Sequence, residues 1–291
     1  RDLLLTKPGM SDFISGAILY DETIRQNALD GTPFPQLMQK LGIIPGIKVD
    51  TGAKELAGHA GEKVTEGLDG LRERLAEYYE MGARFAKWRA VITIGDDIPS
   101  DACIAANAHA LARYALLCQE ANIVPIVEPE VLMDGSHSIE RCYEVTEKTQ
   151  LAVFDQLKEQ GIVLEGMILK PSMVISGAEA TDRADIQQVA EATIRCLTKT
   201  VPSEVPGIAF LSGGQSDEDA TAHLNAMNSL GKDLPWTLTF SYGRALQQAA
   251  MLAWSGKPEN AGAAQNVILH RAKLNGAAAT GSYSDEMEAT A

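Results

Sequence analysis

Seven short apolar runs alternate with longer helix-like stretches along this chain, and that alternation restricts its fold more than any other feature. The runs are residues 14–20, 43–50, 85–94, 123–132, 165–174, 207–214 and 236–244. Most are continuously apolar at their N-terminal ends, as parallel strands covered on both faces are. Stretches with helical spacing cover 33–41, 67–82, 100–121, 138–160, 182–200, 216–230, 245–254 and 260–275. In 67–82, Leu68, Leu71, Leu75 and Tyr78 recur at steps of three and four and form one stripe. Ser100 is placed to cap the stretch it opens, and Gly82, Gly161 and Gly231 stand where helix C-caps are expected. Seven β-then-α units in a row predict an α/β chain built as a (β/α)8 barrel with one unit unaccounted for. An open doubly wound sheet is the competing architecture. One domain is expected over residues 1–276, and 277–291, small and acidic, reads as a mobile tail.

Polar residues interrupt these runs near their C-terminal ends. Lys48 and Asp50 close the second, Lys87 and Arg89 sit in the third, and Glu128 and Glu130 close the fourth. Lys170 follows Met-Ile-Leu in the fifth, Ser212 follows Phe-Leu in the sixth, and Arg244 follows Ser-Tyr-Gly in the seventh. Three of these are i, i+2 pairs, so both members face one side of a strand. A single such pair is explained as readily by an outward-facing or structural ion pair. Six strands polar at the same end are not, and in a barrel that end carries the active site. Five cations against three carboxylates give a local net of +2 in a protein of net charge −14. That overall charge excludes a general nucleic-acid or anionic-membrane footprint, while the local cluster suits a small anion such as phosphate. No apolar run approaches the roughly 20 residues that span a bilayer.

The phosphate reading has local support. Leu211-Ser-Gly-Gly-Gln-Ser216 follows an apolar run and leads into a helix, so backbone N–H groups there can approach an anion. Ser241-Tyr-Gly-Arg244 does the same one unit later. Among the lysines, Lys48 has Asp50 and Lys87 has Arg89 two residues on, whereas Lys170 has no charged neighbour on its own strand. An amine in an apolar pocket near other cations is held more in its neutral, nucleophilic form, which a Schiff base requires. Glu128 or Glu130 is then placed to move protons. The five histidines, His59, His109, His137, His223 and His270, are isolated and read as surface or satisfied helix residues. No HExxH, P-loop, GxSxG or GxGxxG motif occurs, and no metal site or cofactor is expected. The cysteines, Cys103, Cys118, Cys142 and Cys196, have no CxxC spacing and read as reduced, buried thiols of a cytoplasmic protein.

Six segments in order carry a resemblance to class I fructose-bisphosphate aldolases. They are Gly46-Ile-Lys-Val-Asp50, Phe85-Ala-Lys-Trp-Arg89, Ile123-Val-Pro-Ile-Val-Glu-Pro-Glu130, Leu169-Lys-Pro-Ser-Met-Val174, Phe210-Leu-Ser-Gly-Gly-Gln-Ser216 and Thr239-Phe-Ser-Tyr-Gly-Arg244. The resemblance implies a metal-free (β/α)8 lyase, a homotetramer, splitting fructose 1,6-bisphosphate into dihydroxyacetone phosphate and glyceraldehyde 3-phosphate. It implies that Lys170 forms the Schiff base, that Glu128 is the acid/base, and that Lys87 and Glu130 tune and position it. Arg89 and Lys48 would contact substrate, with Asp50 ordering the lysines. Ser212, Gly213, Ser241, Gly243 and Arg244 would hold the ketose-side phosphate. Two departures are expected: the family's first strand, with the Asp that takes the C4-hydroxyl proton, and its terminal Tyr are not in this sequence. Competing readings are another Schiff-base lyase acting on a sugar acid, which the tandem phosphate loops disfavour, and a non-catalytic scaffold of the same fold.

Overall fold

The computed structural model describes residues 2–230 and 233–290, without the side chain of Thr290. Gly231, one of the expected C-caps, lies outside the described residues. The strands are β1 (Gly16–Leu19), β2 (Ile44–Lys48), β3 (Gly52–Glu55), β4 (Lys63–Glu66), β5 (Phe85–Ile92), β6 (Val124–Val131), β7 (Ile168–Leu169), β8 (Gly207–Phe210) and β9 (Thr237–Phe240). The helices are α1 (Asp2–Leu5), α2 (Asp21–Ile24), α3 (Phe34–Lys40), α4 (Leu71–Glu80), α5 (Asp101–Glu120), α6 (Ile139–Gln160), α7 (Ile186–Thr200), α8 (Asp217–Leu230), α9 (Arg244–Trp254) and α10 (Ala261–Ala278).

Seven strands form one parallel sheet in the order β1-β2-β5-β6-β7-β8-β9. The order never reverses, and a doubly wound sheet requires a reversal, so that architecture is excluded. Right-handed crossovers in one direction put the helices on one face, and strand twist curls the sheet toward the other. Helices α4 through α8 pack as successive neighbours along the outside. The core lies between these layers. On α5, Ile104, Ala108, Leu111, Ala115 and Cys118 make its buried stripe, and Tyr114 donates to the Ala86 carbonyl oxygen at 2.7 Å. All four cysteines are free and buried. No helix among the described residues is long and apolar enough to cross a membrane.

Local signals explain most helix ends. Ser100 accepts from the Cys103 N–H and Ser138 from the Arg141 N–H, each capping the helix that follows. Asp185 and Gln188 form a reciprocal capping box on α7, which therefore starts at Ile186 rather than near 182.

Three expectations need correction, and one element was not foreseen. The run 165–174 contributes only Ile168–Leu169 as strand. Residues 164–166 turn as a short 3-10 segment, and Pro171 has no N–H to extend the ladder. The run 236–244 ends as strand at Phe240, and Arg244 is the first residue of α9 rather than a strand terminus. An unexpected antiparallel hairpin, β3–β4, leaves the sheet after β2 and packs on β5 and α5. Finally, residues 277–290 pack back on the domain. Helix α10 runs to Ala278, Tyr283 is buried, and Glu288 pairs with the buried Arg271 and accepts from the Tyr283 hydroxyl at 2.9 Å.

Candidate active site

Parallel strands bring all their C-terminal ends to one edge, and register sets which residues meet there. Phe85 pairs with Gly46 and Lys87 with Lys48 across β2–β5, while Arg89 pairs with Glu128 across β5–β6. Phe85, Lys87 and Arg89 alternate onto one face, so an aromatic floor underlies the cations. A Cβ on Gly46 would lie 2.2 Å from the Phe85 ring, and one on Gly16 2.8 Å from it. Glycine at both positions is what lets the ring close the N-terminal end of the concave face.

Above this floor the charges pair in a fixed pattern. Glu128, 2% exposed, accepts from Lys170 Nζ at 2.5 Å through Oε1 and from Lys87 Nζ at 2.6 Å through Oε2. Lys170 stands just past β7, and its own N–H donates to the Val127 carbonyl oxygen at 2.8 Å, which holds it beside β6. Arg89 pairs with Glu130. Lys48 Nζ reaches Asp50 Oδ1 at 2.6 Å. Asp50 Oδ2 accepts from the Arg89 N–H at 3.3 Å, so this carboxylate links β2 to β5. Among the described residues, Lys170, Glu128 and Lys87 and the pairs Arg89–Glu130 and Lys48–Asp50 thus form one cluster.

Two lysines share the Glu128 carboxylate, and this sets the proton chemistry. Burial pushes Glu128 toward neutrality, but Lys170 and Lys87 outweigh it and hold its carboxyl below the ordinary range. Lys170 is shifted the other way. Burial lowers its pKa, Glu128 opposes this, and the neighbouring Lys87 adds to the lowering. An ionised carboxylate thus sits 2.5 Å from an amine biased toward its neutral form. The amine lacks a charged neighbour on its own strand but not across strands.

The glycine turns occupy the next two strand ends. Ser212, buried, follows β8, and Gly213 (φ +61°) and Gly214 (φ +95°) adopt left-handed backbone that disfavours side chains. Ser216 Oγ accepts from the Asp219 N–H at 3.0 Å and caps α8. Ser241 follows β9, its N–H donating to the Phe210 carbonyl oxygen at 2.8 Å, which ties one turn to the other. Gly243 precedes α9, and exposed Arg244 opens it. The Arg244 guanidinium reaches back over the first turn, its Nη2 being 3.7 Å from where a Gly214 Cβ would stand. The Arg244 guanidinium therefore lies beside the Gly213–Gly214 turn of the neighbouring strand.

Sequence reasoning missed several supports. Tyr20, next after β1, has its ring 5.8 Å from Lys48 Nζ. Ser172 both accepts from the Val131 N–H at 3.0 Å and donates to the Val131 carbonyl oxygen at 2.8 Å, bracing β6 beside Glu130. Thr65 on the hairpin donates to the Arg89 carbonyl oxygen at 2.7 Å. Only Ser172 carried a signal, its place two residues after Lys170.

A destabilised ammonium beside an ionised carboxylate favours addition of the free amine to a carbonyl. The fold is a curled parallel-sheet α/β architecture, and this pair sets a buried amine beside an ionised carboxylate at its C-terminal edge. A family model described as fructose-bisphosphate aldolase class-I matches residues 1–291. The "Probable fructose-bisphosphate aldolase class 1" of Xanthomonas axonopodis pv. citri is 64% identical over 284 residues, 97% of this chain and 85% of the relative. The cytoplasmic isozyme of fructose-bisphosphate aldolase from Spinacia oleracea is 53% identical over 283 residues, 97% of this chain and 79% of the relative. The solved Plasmodium falciparum aldolase, in complex with TRAP and a small-molecule inhibitor, superimposes with a TM-score of 0.95 at 50% identity, covering 97% of this chain and 82% of that one. The chain belongs to the class I fructose-bisphosphate aldolase family.

Proposed function

We propose that this protein cleaves fructose 1,6-bisphosphate reversibly into dihydroxyacetone phosphate and glyceraldehyde 3-phosphate, with Lys170 as the amine. The observation that carries the assignment is the bridge of Glu128 between Lys170 and Lys87. Lys170 Nζ adds to the ketose C2 carbonyl, and water leaves to give the iminium. The C3–C4 bond breaks, its electrons pass to the iminium to give an enamine, and the C4 hydroxyl proton goes to a base. Glyceraldehyde 3-phosphate departs. The enamine takes a proton at C3, and water then releases dihydroxyacetone phosphate, restoring the amine.

Glu128 gives and takes the protons of carbinolamine and imine, being within reach of Nζ throughout. Lys87 holds Glu128 ionised, while Glu130 and Asp50 orient Arg89 and Lys48 toward the substrate. Ser212, Gly213, Ser241, Gly243 and Arg244 take the ketose-side phosphate. The sheet, in a single domain, is read as the curled parallel sheet of a (β/α)8-type barrel. A cytoplasmic homotetramer is proposed on family grounds, to be checked by sedimentation.

Borohydride added with dihydroxyacetone phosphate should fix a secondary amine on Lys170. Peptide mapping of the adduct to Lys48 or Lys87 instead would overturn the assignment.

A further inference from the structure

The turn that receives the phosphate is held by hydrogen bonds that the reaction itself does not use. His223 on α8 is buried, 6% exposed, and its Nδ1 lies 2.6 Å from Gln215 Oε1. The Gln215 amide Nε2 donates to the Ser212 carbonyl oxygen at 3.0 Å and to Met173 Sδ at 3.6 Å. The Gln215 backbone N–H reaches the same Ser212 carbonyl at 3.0 Å. The reversed amide would set two oxygens against each other, so Nε2 must face Ser212. An amide oxygen only accepts, so Nδ1 of His223 carries its proton. Amide orientation and imidazole tautomer are therefore fixed together. Ser212 belongs to the turn after β8, and Met173 stands three residues beyond Lys170. One amide thus spans the anion-binding turn and the segment that carries the amine.

We propose that His223 is a positioning residue for phosphate recognition: by donating to Gln215 it sets the Ser212–Gly214 turn relative to Lys170. This deepens the aldolase reading and rests on it. Histidine is suited to the place because a neutral ring fills the buried space while presenting one directed N–H. The sequence set His223 aside as a satisfied helix residue. It is satisfied, but its partner is the side chain that braces the turn.

The test is borohydride trapping on Lys170, as a function of ketone concentration, with dihydroxyacetone phosphate and with dihydroxyacetone. His223→Phe keeps a flat ring and removes the donor. It should raise the half-saturating concentration of dihydroxyacetone phosphate roughly ten-fold, the scale of one lost hydrogen bond. The maximal trapping rate should stay within about two-fold, as loss of ground-state binding alone requires. Trapping with unphosphorylated dihydroxyacetone should not change. His223→Asn, whose amide nitrogen falls near the Nδ1 position, should restore the phosphate dependence. Wild-type behaviour in a folded Phe variant, equal losses with both ketones, or failure of the Asn variant to rescue would overturn the proposal. If the Phe variant does not fold, 15N-histidine spectra of the wild type decide, with His223 assigned through the Asn variant. An Nδ1–H tautomer whose signals move on adding inorganic phosphate supports the role; an Nε2–H tautomer or no response refutes it. Absence of any Lys170 adduct in the wild type would instead refute the aldolase reading, leaving the phosphate titration to judge His223.

Discussion

One carboxylate between two lysine amines is an unequal arrangement, and its consequences show at Lys170. Imine formation needs the free amine, so trapping rises with pH through the Lys170 pKa. Glu128 is the chief group holding that proton on. In Glu128→Gln the ammonium faces Lys87 without its counter-charge, so the rising limb of the trapping profile should move to lower pH. Turnover should nonetheless fall by about 10²–10⁴, because no group remains to pass protons. A limb that stays put or moves up would show that Glu128 does not set the Lys170 proton affinity. At the other end of the substrate, Arg244→Ala should lower kcat/KM by about 1.5–3 kcal/mol, with the change mainly in KM. Arg244→Lys should recover only part, since the planar fork is lost. Unchanged kinetics in the Ala variant would place the phosphate elsewhere.

At the scale of elements, what was legible depended on whether a residue contradicted its surroundings. Lys48, Lys87, Arg89, Glu128, Glu130 and Lys170 were found because charges in apolar strands need a reason, and parallel strands give them a common edge. Hairpin β3–β4 offered no such contradiction: Gly-Ala-Lys-Glu and Lys-Val-Thr-Glu have no apolar run. The shortness of β7 lay in Pro171, and the helical place of Arg244 in a boundary hidden by Ser241-Tyr-Gly. The packing of the last residues depended on Arg271 meeting Glu288, a contact that small, acidic composition does not announce. The Glu128 bridge was invisible as a bridge, because a strand pattern gives facing but not the reach of a long side chain. Register also hides the demand for glycine at Gly46, which only the Phe85 ring opposite explains. Gly46→Ala should cost about 1–3 kcal/mol by overpacking, read from the urea midpoint at constant slope. Combining it with Phe85→Leu should return part of the loss; equal midpoints for wild type and Gly46→Ala would mean the ring yields freely.

For the whole molecule, acid sensitivity follows from a buried neutral imidazole. Burial lowers the His223 pKa to about 4 from an ordinary 6.5, with Asp219 opposing and Arg183 assisting. Between these values the unfolded chain binds more protons, so stability falls as pH drops from 6.5 to 4, by about 3 kcal/mol from this group. In His223→Asn that share of the decline should vanish, as urea unfolding at pH 7 and pH 4.5 would show; an identical decline in both proteins would refute it. Activity should also survive prolonged EDTA, since among the described residues no three or more His, Cys, Asp or Glu side chains are grouped to hold a metal ion. Loss on chelation with recovery on adding zinc would contradict a metal-free mechanism. The sequential strand order has a further consequence, for the growing polypeptide. Lys87, Glu128 and Lys170 stand 41 and 42 residues apart, on β5, on β6 and just past β7, strands adjacent in space. Each partner of the triad is therefore made one strand before the group it will meet, since synthesis delivers the N-terminal residue of each pair first. Until residue 170 leaves the ribosome, Glu128 has Lys87 alone to neutralise it. The reactive amine is the last of the three to be made.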